Sequence, residues 1–538
     1  MNVKRLLLLS WVGLLGLLAA CQPQVSEVVI EVTRVVTNPI VLEGETVEVT
    51  RVVTETTIET VEVTGVVAAN PVGVDRPQNE VAPEDMPADM FFQSYGVNPF
   101  IDTDDDNLST FAIDVDTGSY TMMRRYLGDG LLPPAESVRV EEYVNYFDQA
   151  YAPPAEEAFA IHLEGAPSLY GENDRYYLLR VGIQGYEVPD ELRPDALLIF
   201  VIDVSGSMDM ENRLGLVKEA LRLLVWQLHP TDRVGIVVYG SDARVVLRPT
   251  AVDSREVILQ AIDGLHTEGS TNAEAGLRIA YEMAAQFQQS EQINRLILCS
   301  DGVANVGRTT ADAILQYAAD GISLSTFGFG MGNYNDTFME QLADQGDGTY
   351  AYVDTLNEAE RLFVKDLSGT LLTIAKDAKI QVAFNPAVVE RYRLLGYENR
   401  DVADEDFRND SVDAGEIGAG HSVTALYEVK FNEGVPPTET ALTVSVRYAD
   451  PDSGAITEIA NSMSRAQMGT DFFAASSTFQ LSAVVAEYAE LLRDSYWARE
   501  SDLDGLTAVA LRIAGYFPGD EDVQEFAALV SQAAALRR

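Results

Sequence analysis

The chain has 538 residues and is strongly acidic, with 37 basic against 84 acidic side chains and a formal net charge of −47. Such an anion is repelled by nucleic-acid phosphates and by anionic lipid headgroups, so nucleic-acid binding and electrostatic membrane attachment are not expected. Apolar residues make up 47% of the chain, enough to bury real cores, and only two cysteines, Cys21 and Cys299, are present. That composition excludes wholesale disorder, a disulfide framework and a Cys-rich zinc site.

The first 20 residues read as a lipoprotein signal peptide. Lys4 and Arg5 precede an apolar stretch from Leu6 to Leu18, and Leu18-Ala19-Ala20-Cys21 resembles a lipobox. The Cys21 thiol would then carry the lipid that holds the mature chain to a membrane. The alternative is an ordinary secretory signal that happens to end in cysteine. The lipobox reading places the protein in the bacterial cell envelope, lipid-anchored on its extracytoplasmic face.

Residues 21–90 have a different texture. A phrase recurs at Glu31–Thr37, Glu48–Thr54 and Glu62–Val67, rich in Val and Thr, and the segment turns Pro- and acid-rich after Asn70. It cannot build a core alone, so it is expected to be an extended stalk and linker. Its high β-propensity leaves a β-ribbon that pairs with a partner as the rival reading.

Residues 91–194 are expected to be an N-terminal domain ending in the first strands of a β-sandwich, at Ala158–Leu163 and Tyr176–Ile183. Residues 195–370 then alternate between strand and helix. Ala196–Ile202 is an unbroken apolar run, the pattern of a parallel strand buried on both faces, and the helix after it carries Leu214, Val217, Leu221, Leu224 and Leu228 on one face. Further strands are expected at Val234–Tyr239, Leu296–Ser300, Leu324–Phe329 and Tyr350–Asp354, with Arg244–Leu247 as an antiparallel edge. The fold class is therefore α/β, one doubly wound and mostly parallel sheet with helices on both faces. Ligands of such sheets sit at the carboxyl ends of the strands.

Three loops meet at that edge: Asp203-Val-Ser205-Gly-Ser207, Gly269-Ser270-Thr271-Asn272 and Ser300-Asp301-Gly302. Asp203, Ser205, Ser207, Thr271 and Asp301 offer two carboxylates and three hydroxyls, all hard oxygen donors. Such a set suits Mg²⁺, with Mn²⁺ or Ca²⁺ as competitors. Cys299 lies in an apolar strand with nothing nearby to activate it. No two of the four histidines stand at ligand spacing, and neither a P-loop nor a Gly-x-Ser-x-Gly elbow occurs.

The Asp-x-Ser-x-Ser motif, the later Thr271 and Ser300-Asp301-Gly302 resemble the metal-ion-dependent adhesion site of von Willebrand factor type A domains. Ser109–Thr117, Val138–Glu142, Gly328–Asn335, Ile374–Asp377 and Asp413–His421 extend the resemblance to a bacterial lipoprotein subgroup with its own flanking domains, over roughly residues 91–538. The resemblance implies direct metal contacts from Ser205, Ser207 and Thr271, with Asp203 and Asp301 acting mostly through water. Neutral hydroxyl ligands leave the ion much of its charge and one octahedral position open, for which an Asp or Glu carboxylate of a protein partner is the natural ligand. No obvious general base stands beside the ion, so no enzymatic activity is expected. Glu268, and Val303-Ala304 after Gly302, depart from the subgroup pattern at the rim of the site.

After the α/β unit, Ile380, Val382 and Phe384 alternate, as do Leu442, Val444, Val446 and Tyr448. Residues 371–475 are therefore expected to complete the sandwich begun before the α/β domain, which becomes an insertion. Residues 476–538 are expected to be helical. Asp102–Asn107 is expected to be a solvated acidic loop and not a Ca²⁺ loop, and Asp114 and Asp116 to be structural. The leading functional reading is a membrane-anchored lipoprotein that binds a protein ligand through a divalent-cation-dependent site. The alternative is an envelope scaffold or assembly factor in which the metal only buttresses loops.

Overall fold

The computed structural model describes residues 26–42, 45–61, 92–155, 157–171, 175–269, 271–301, 311–319, 321–330, 335–412, 414–451 and 453–538. Cys21 and the expected signal peptide lie outside the described residues, as do Ser270, Gly302 and Val303-Ala304. The chain divides into two units, at residues 1–82 and 83–538.

In the first unit, β1 (Ser26–Leu42) and β2 (Glu45–Val61) pair with each other antiparallel. The register sets one copy of the repeated phrase against the next, with Val35 opposite Val52 and Thr37 opposite Thr50. Where an extended stalk was expected, these strands form a hairpin, and each is the other's partner.

The second unit opens with β3 (Ile101–Asp102) and β4 (Leu108–Ala112), then two helices, Gly118–Gly128 and Val140–Asn145, then β5 (Phe159–Pro167) and β6 (Tyr176–Gly185). Next come β7 (Ala196–Asp203), β8 (Arg233–Tyr239), β9 (Ala243–Ala251), β10 (Ile293–Ser300), β11 (Ser323–Phe329) and β12 (Tyr350–Val353), with helices between them. Then follow β13 (Thr373–Phe384), β14 (Val389–Leu395), β15 (Gly415–Gly418), β16 (Ser422–Phe431), β17 (Thr440–Ala449) and β18 (Ile456–Ser464). The helices Ser477–Leu492, Leu503–Ala514 and Glu521–Leu536 close the chain. No helix among the described residues is long and apolar enough to cross a membrane.

The central sheet has the order β12-β11-β10-β7-β8-β9, all parallel except the antiparallel edge β9. Every residue of β7 is buried. Its side chains alternate between two cores because successive residues of a strand point to opposite faces. Leu198, Phe200 and Ile202 pack against Val217, Leu221 and Leu224 of the helix Arg213–Gln227. Leu197, Ile199 and Val201 pack against Leu277, Ala280 and Ala284 of the helix Ala273–Phe287.

Two antiparallel sheets form the sandwich. One is β3-β14-β16-β6-β5 and the other β15-β13-β17-β18, with β4 also paired to β13. β6 precedes the α/β domain and β16 follows it, yet they pair from Tyr176 against Lys430 to Gln184 against Ser422. The α/β domain is thus an insertion in the sandwich. Ile380, Val382 and Phe384 face Val423, Tyr427 and Val429 in its core, as their alternation requires.

The C-terminal helices do not stand apart. Phe479, Tyr488 and Phe526 share one core with Tyr120, Tyr143 and Phe147 from the helical stretch before β5. The Tyr120 and Tyr146 rings stack at 4.1 Å, and Tyr488 meets Phe526 edge-on at 5.6 Å. The expected division at residue 476 separates stretches of sequence, while this core crosses it.

Candidate metal centre

The carboxyl edge of the sheet brings the first and third loops together. β7 ends in Asp203, wholly buried, and the Ser205 N–H donates to its Oδ1 at 2.8 Å. This Asx turn folds the loop back on itself and leaves the hydroxyls of Ser205 and Ser207 3.0 Å apart. The Ser300 hydroxyl donates to Asp203 Oδ2 at 3.1 Å, joining the ends of β7 and β10.

The second loop is tied to the first by backbone. Gly206 N–H donates to the Gly269 carbonyl at 3.1 Å, and Glu268 N–H to the Val204 carbonyl at 2.5 Å. Gly269 has φ +73°, and a Cβ there would come within 2.2 Å of the Ser241 hydroxyl, so the approach admits only glycine. Thr271 follows two residues later and is buried. Asn272 then caps the helix Ala273–Phe287 by accepting from the Ala275 N–H at 3.2 Å.

Asp301, the first residue after β10, is buried to 1% exposure. Its Oδ2 accepts from Arg213 Nη1 at 3.0 Å. Its Oδ1 is buried with no hydrogen-bond partner among the described residues. A buried carboxylate oxygen left unpaired is costly, and a cation is what satisfies it. Burial, followed by the charge of Asp301, pushes the Asp203 carboxyl up to about 7. Arg213 pairs with Asp301, while Asp203 has no ion pair among the described residues and only the hydroxyl and N–H donors of Ser205 and Ser300 beside it. An all-oxygen donor set around such a carboxylate fits a hard divalent ion.

The sequence does not single out Arg213, and it marks Ser300 only as part of the Ser300-Asp301-Gly302 loop, not as a partner of Asp203. Arg213 begins the helix Arg213–Gln227, 88 residues before the carboxylate it pairs with, and no local pattern marks the pair. Gly330 makes room for it: φ there is +88°, and a Cβ would stand 2.1 Å from Arg213 Nε.

Two further groups among the described residues bring three ligand-type side chains within 4.8 Å of one another: Asp114/Asp116/Glu340 and Asp195/His229/Asp232. Both already have partners. Arg400 reaches Asp114 at 2.9 Å, Glu340 at 3.2 Å and Asp116 at 3.5 Å, and Tyr350 N–H donates to Asp116 at 3.1 Å. Asp232 accepts from Arg193 at 2.7 Å and from the Ala196 N–H at 2.6 Å. Asp114 and Asp116 are thus structural, gathered around Arg400. His421 also has a partner, Asp366 at 2.9 Å, and Cys299 is a fully buried strand residue whose thiol burial pushes well up. Asp104, Asp105 and Asp106 are exposed.

Three protein families match consecutive parts of the chain. Residues 86–179 match a von Willebrand factor family, residues 198–365 the von Willebrand factor type A domain, and residues 369–536 the C-terminal region of "Uncharacterized protein YfbK". The Escherichia coli protein of that name is 42% identical over 64% of this chain, and the match spans 62% of its own length. "Uncharacterized protein sll0103" from Synechocystis is 25% identical over 51% of this chain and 67% of that protein. The solved von Willebrand factor type A protein from Catenulispora acidiphila gives a TM-score of 0.41 at 17% identity, covering 67% of this chain and 87% of that one.

Proposed function

The chain is a bacterial von Willebrand factor type A protein with flanking domains, and from that premise we propose that it is a lipid-anchored, extracytoplasmic binding module whose protein ligand docks on a divalent cation. Asp203, Ser205, Ser207, Thr271 and Asp301 would hold the ion, Mg²⁺ in the first instance and Mn²⁺ or Ca²⁺ in its place. The observation that carries this reading is the unpaired Oδ1 of Asp301, buried beside Asp203 at the sheet edge.

The chemistry supplied by the ion is a concentrated positive charge with a free coordination position. Hydroxyl donors do not neutralise that charge, so a carboxylate from a partner Asp or Glu is its natural complement. The rest of the acidic surface repels such a partner only weakly, since charges beyond about 8 Å are screened at physiological salt. Cys21 would tether the module to the membrane, and the segment before residue 91 would set its reach. Among the described residues of the site we identify no nucleophile with an adjacent base, which favours binding over turnover in this reading.

The scaffold alternative would use the sandwich and the C-terminal helices as its surface: Ser477–Leu492 is spent on the protein's own core, while Leu511 and Leu536 on the next two helices are exposed. The test is a pull-down from the envelope of the source cell by the full chain, with Mg²⁺ and with EDTA, and with Asp203→Ala. Capture lost under both perturbations supports the reading. Capture that survives both disproves it.

A further inference from the structure

At the opposite edge of the sheet, β10 begins beside a cleft of about 1,940 Å³. Its walls come from the amino ends of β10 and β11, from the start of β13 and from the Pro153–Pro154 stretch before β5. That volume exceeds the roughly 300–1,000 Å³ of ordinary small-ligand pockets.

Arg295 forms part of the wall and is only 3% exposed. Its Nη1 donates to the Ser325 hydroxyl at 2.6 Å and its Nη2 to the Thr373 hydroxyl at 3.3 Å. Both partners are neutral. Its Nε is buried with no hydrogen-bond partner, and no carboxylate of the described residues forms an ion pair with it. Asp347 and Glu416 act on it only from a distance, and Asp347 is already engaged by Lys376, a second cation on the cleft wall. Burial without a counter-charge pulls the guanidinium down to about 10.

Other arginines buried in this protein have carboxylate partners, among them Arg124, Arg139, Arg193, Arg213, Arg393 and Arg493. Arg295 breaks that pattern. A buried cation held only by hydroxyls is costly, and an arriving anion removes the cost. The guanidinium presents N–H donors in a planar fork that matches the oxygens of a carboxylate or a phosphate.

We infer that this cleft is a second binding site, in which Arg295, with Lys376 beside it, receives the oxyanion of a larger polar ligand. The site is independent of the metal centre. Arg295 and Asp301 are six residues apart along one strand, about 20 Å.

The experiment titrates the full chain with inorganic phosphate and, separately, acetate, each against sodium chloride at equal ionic strength. Thermal unfolding and calorimetry give the readouts. A saturable rise in Tm above the chloride baseline is expected with at least one anion. Phosphate alone points to a phosphorylated ligand, and acetate alone to a carboxylate ligand. Arg295→Met should abolish the response and raise the anion-free Tm, because it removes an uncompensated buried charge. Arg295→Gln, which keeps hydrogen-bond donors, should also lose the response. Absence of any anion effect overturns the proposal, as does an effect that persists in both variants. Mg²⁺ binding should be unchanged in either variant, so failure here leaves the metal reading standing.

Discussion

The two ends of β10 carry opposite deficits. At its carboxyl end Asp301 holds a buried oxygen with no donor among the described residues, and at its amino end Arg295 holds a buried N–H with no acceptor among them. Both groups are buried, so solvent does little to meet either shortfall. The cluster around Arg400 has more carboxylates than either end, yet its arginine and backbone donors already serve them. The number of charges gathered at a point therefore says less than how they are paired, and unpartnered buried atoms also stand elsewhere, as at Glu141 and Glu487.

The largest effect expected at the carboxyl end comes from Arg213→Met. Removing one partner of a buried ion pair costs about 3–5 kcal/mol, and Asp301 would keep no cation. The variant should unfold earlier in EDTA and regain more stability from Mg²⁺ than the parent does, measured by thermal unfolding. A variant indifferent to Mg²⁺ would break the contrast between the two ends.

Asp203→Ala comes next. It should weaken Mg²⁺ binding by about 100-fold or more, since loss even of an outer supporting group costs about 10–100-fold. Calorimetry on the metal-free chain checks this, and the response to phosphate or acetate should be untouched.

The pH dependence separates the ends by sign. Asp203 stands near 7 in the folded chain against an ordinary 3.8. A carboxyl raised on folding binds its proton more tightly in the folded state. Its contribution is therefore full below the unfolded value and is lost as pH rises through 7. Mg²⁺ competes with that proton, so the Mg²⁺-induced rise in Tm should be larger at pH 8 than at pH 5.5. Arg295, lowered to about 10, changes nothing in that range. An ion-induced shift that is flat with pH would exclude Asp203 from the site.

Ser207→Ala should have the smallest effect. Ser207 is less buried than Ser205 and contributes a neutral donor, so about a tenfold loss of Mg²⁺ affinity, or about 1.4 kcal/mol, is expected. Calorimetry against the same metal-free chain measures it.

Much of this was legible in sequence, for reasons of locality. Asp203, Ser205 and Ser207 fall within five residues, and the strand before them is an apolar run of the kind only a doubly covered strand tolerates. The same logic exposed the alternation of β13 and β17. It missed β14, whose Glu390, Arg391 and Arg393 break the apolar rhythm. Arg393 lies buried there only because Glu428 and Glu490, 35 and 97 residues away, neutralise it.

The amino-acid order by itself determined the α/β alternation, the oxygen-rich loops at the strand ends and the insertion of that domain between sandwich strands. Each of these rests on periodicities of two or 3.6 residues, which a short window contains. Only the tertiary structure decided which buried charges are matched. Asp301 meets Arg213 across 88 residues, and Arg295 forms no ion pair among the described residues. Whether a charge is compensated depends on what the fold carries to within a few ångströms of it, and separation along the chain does not encode that distance.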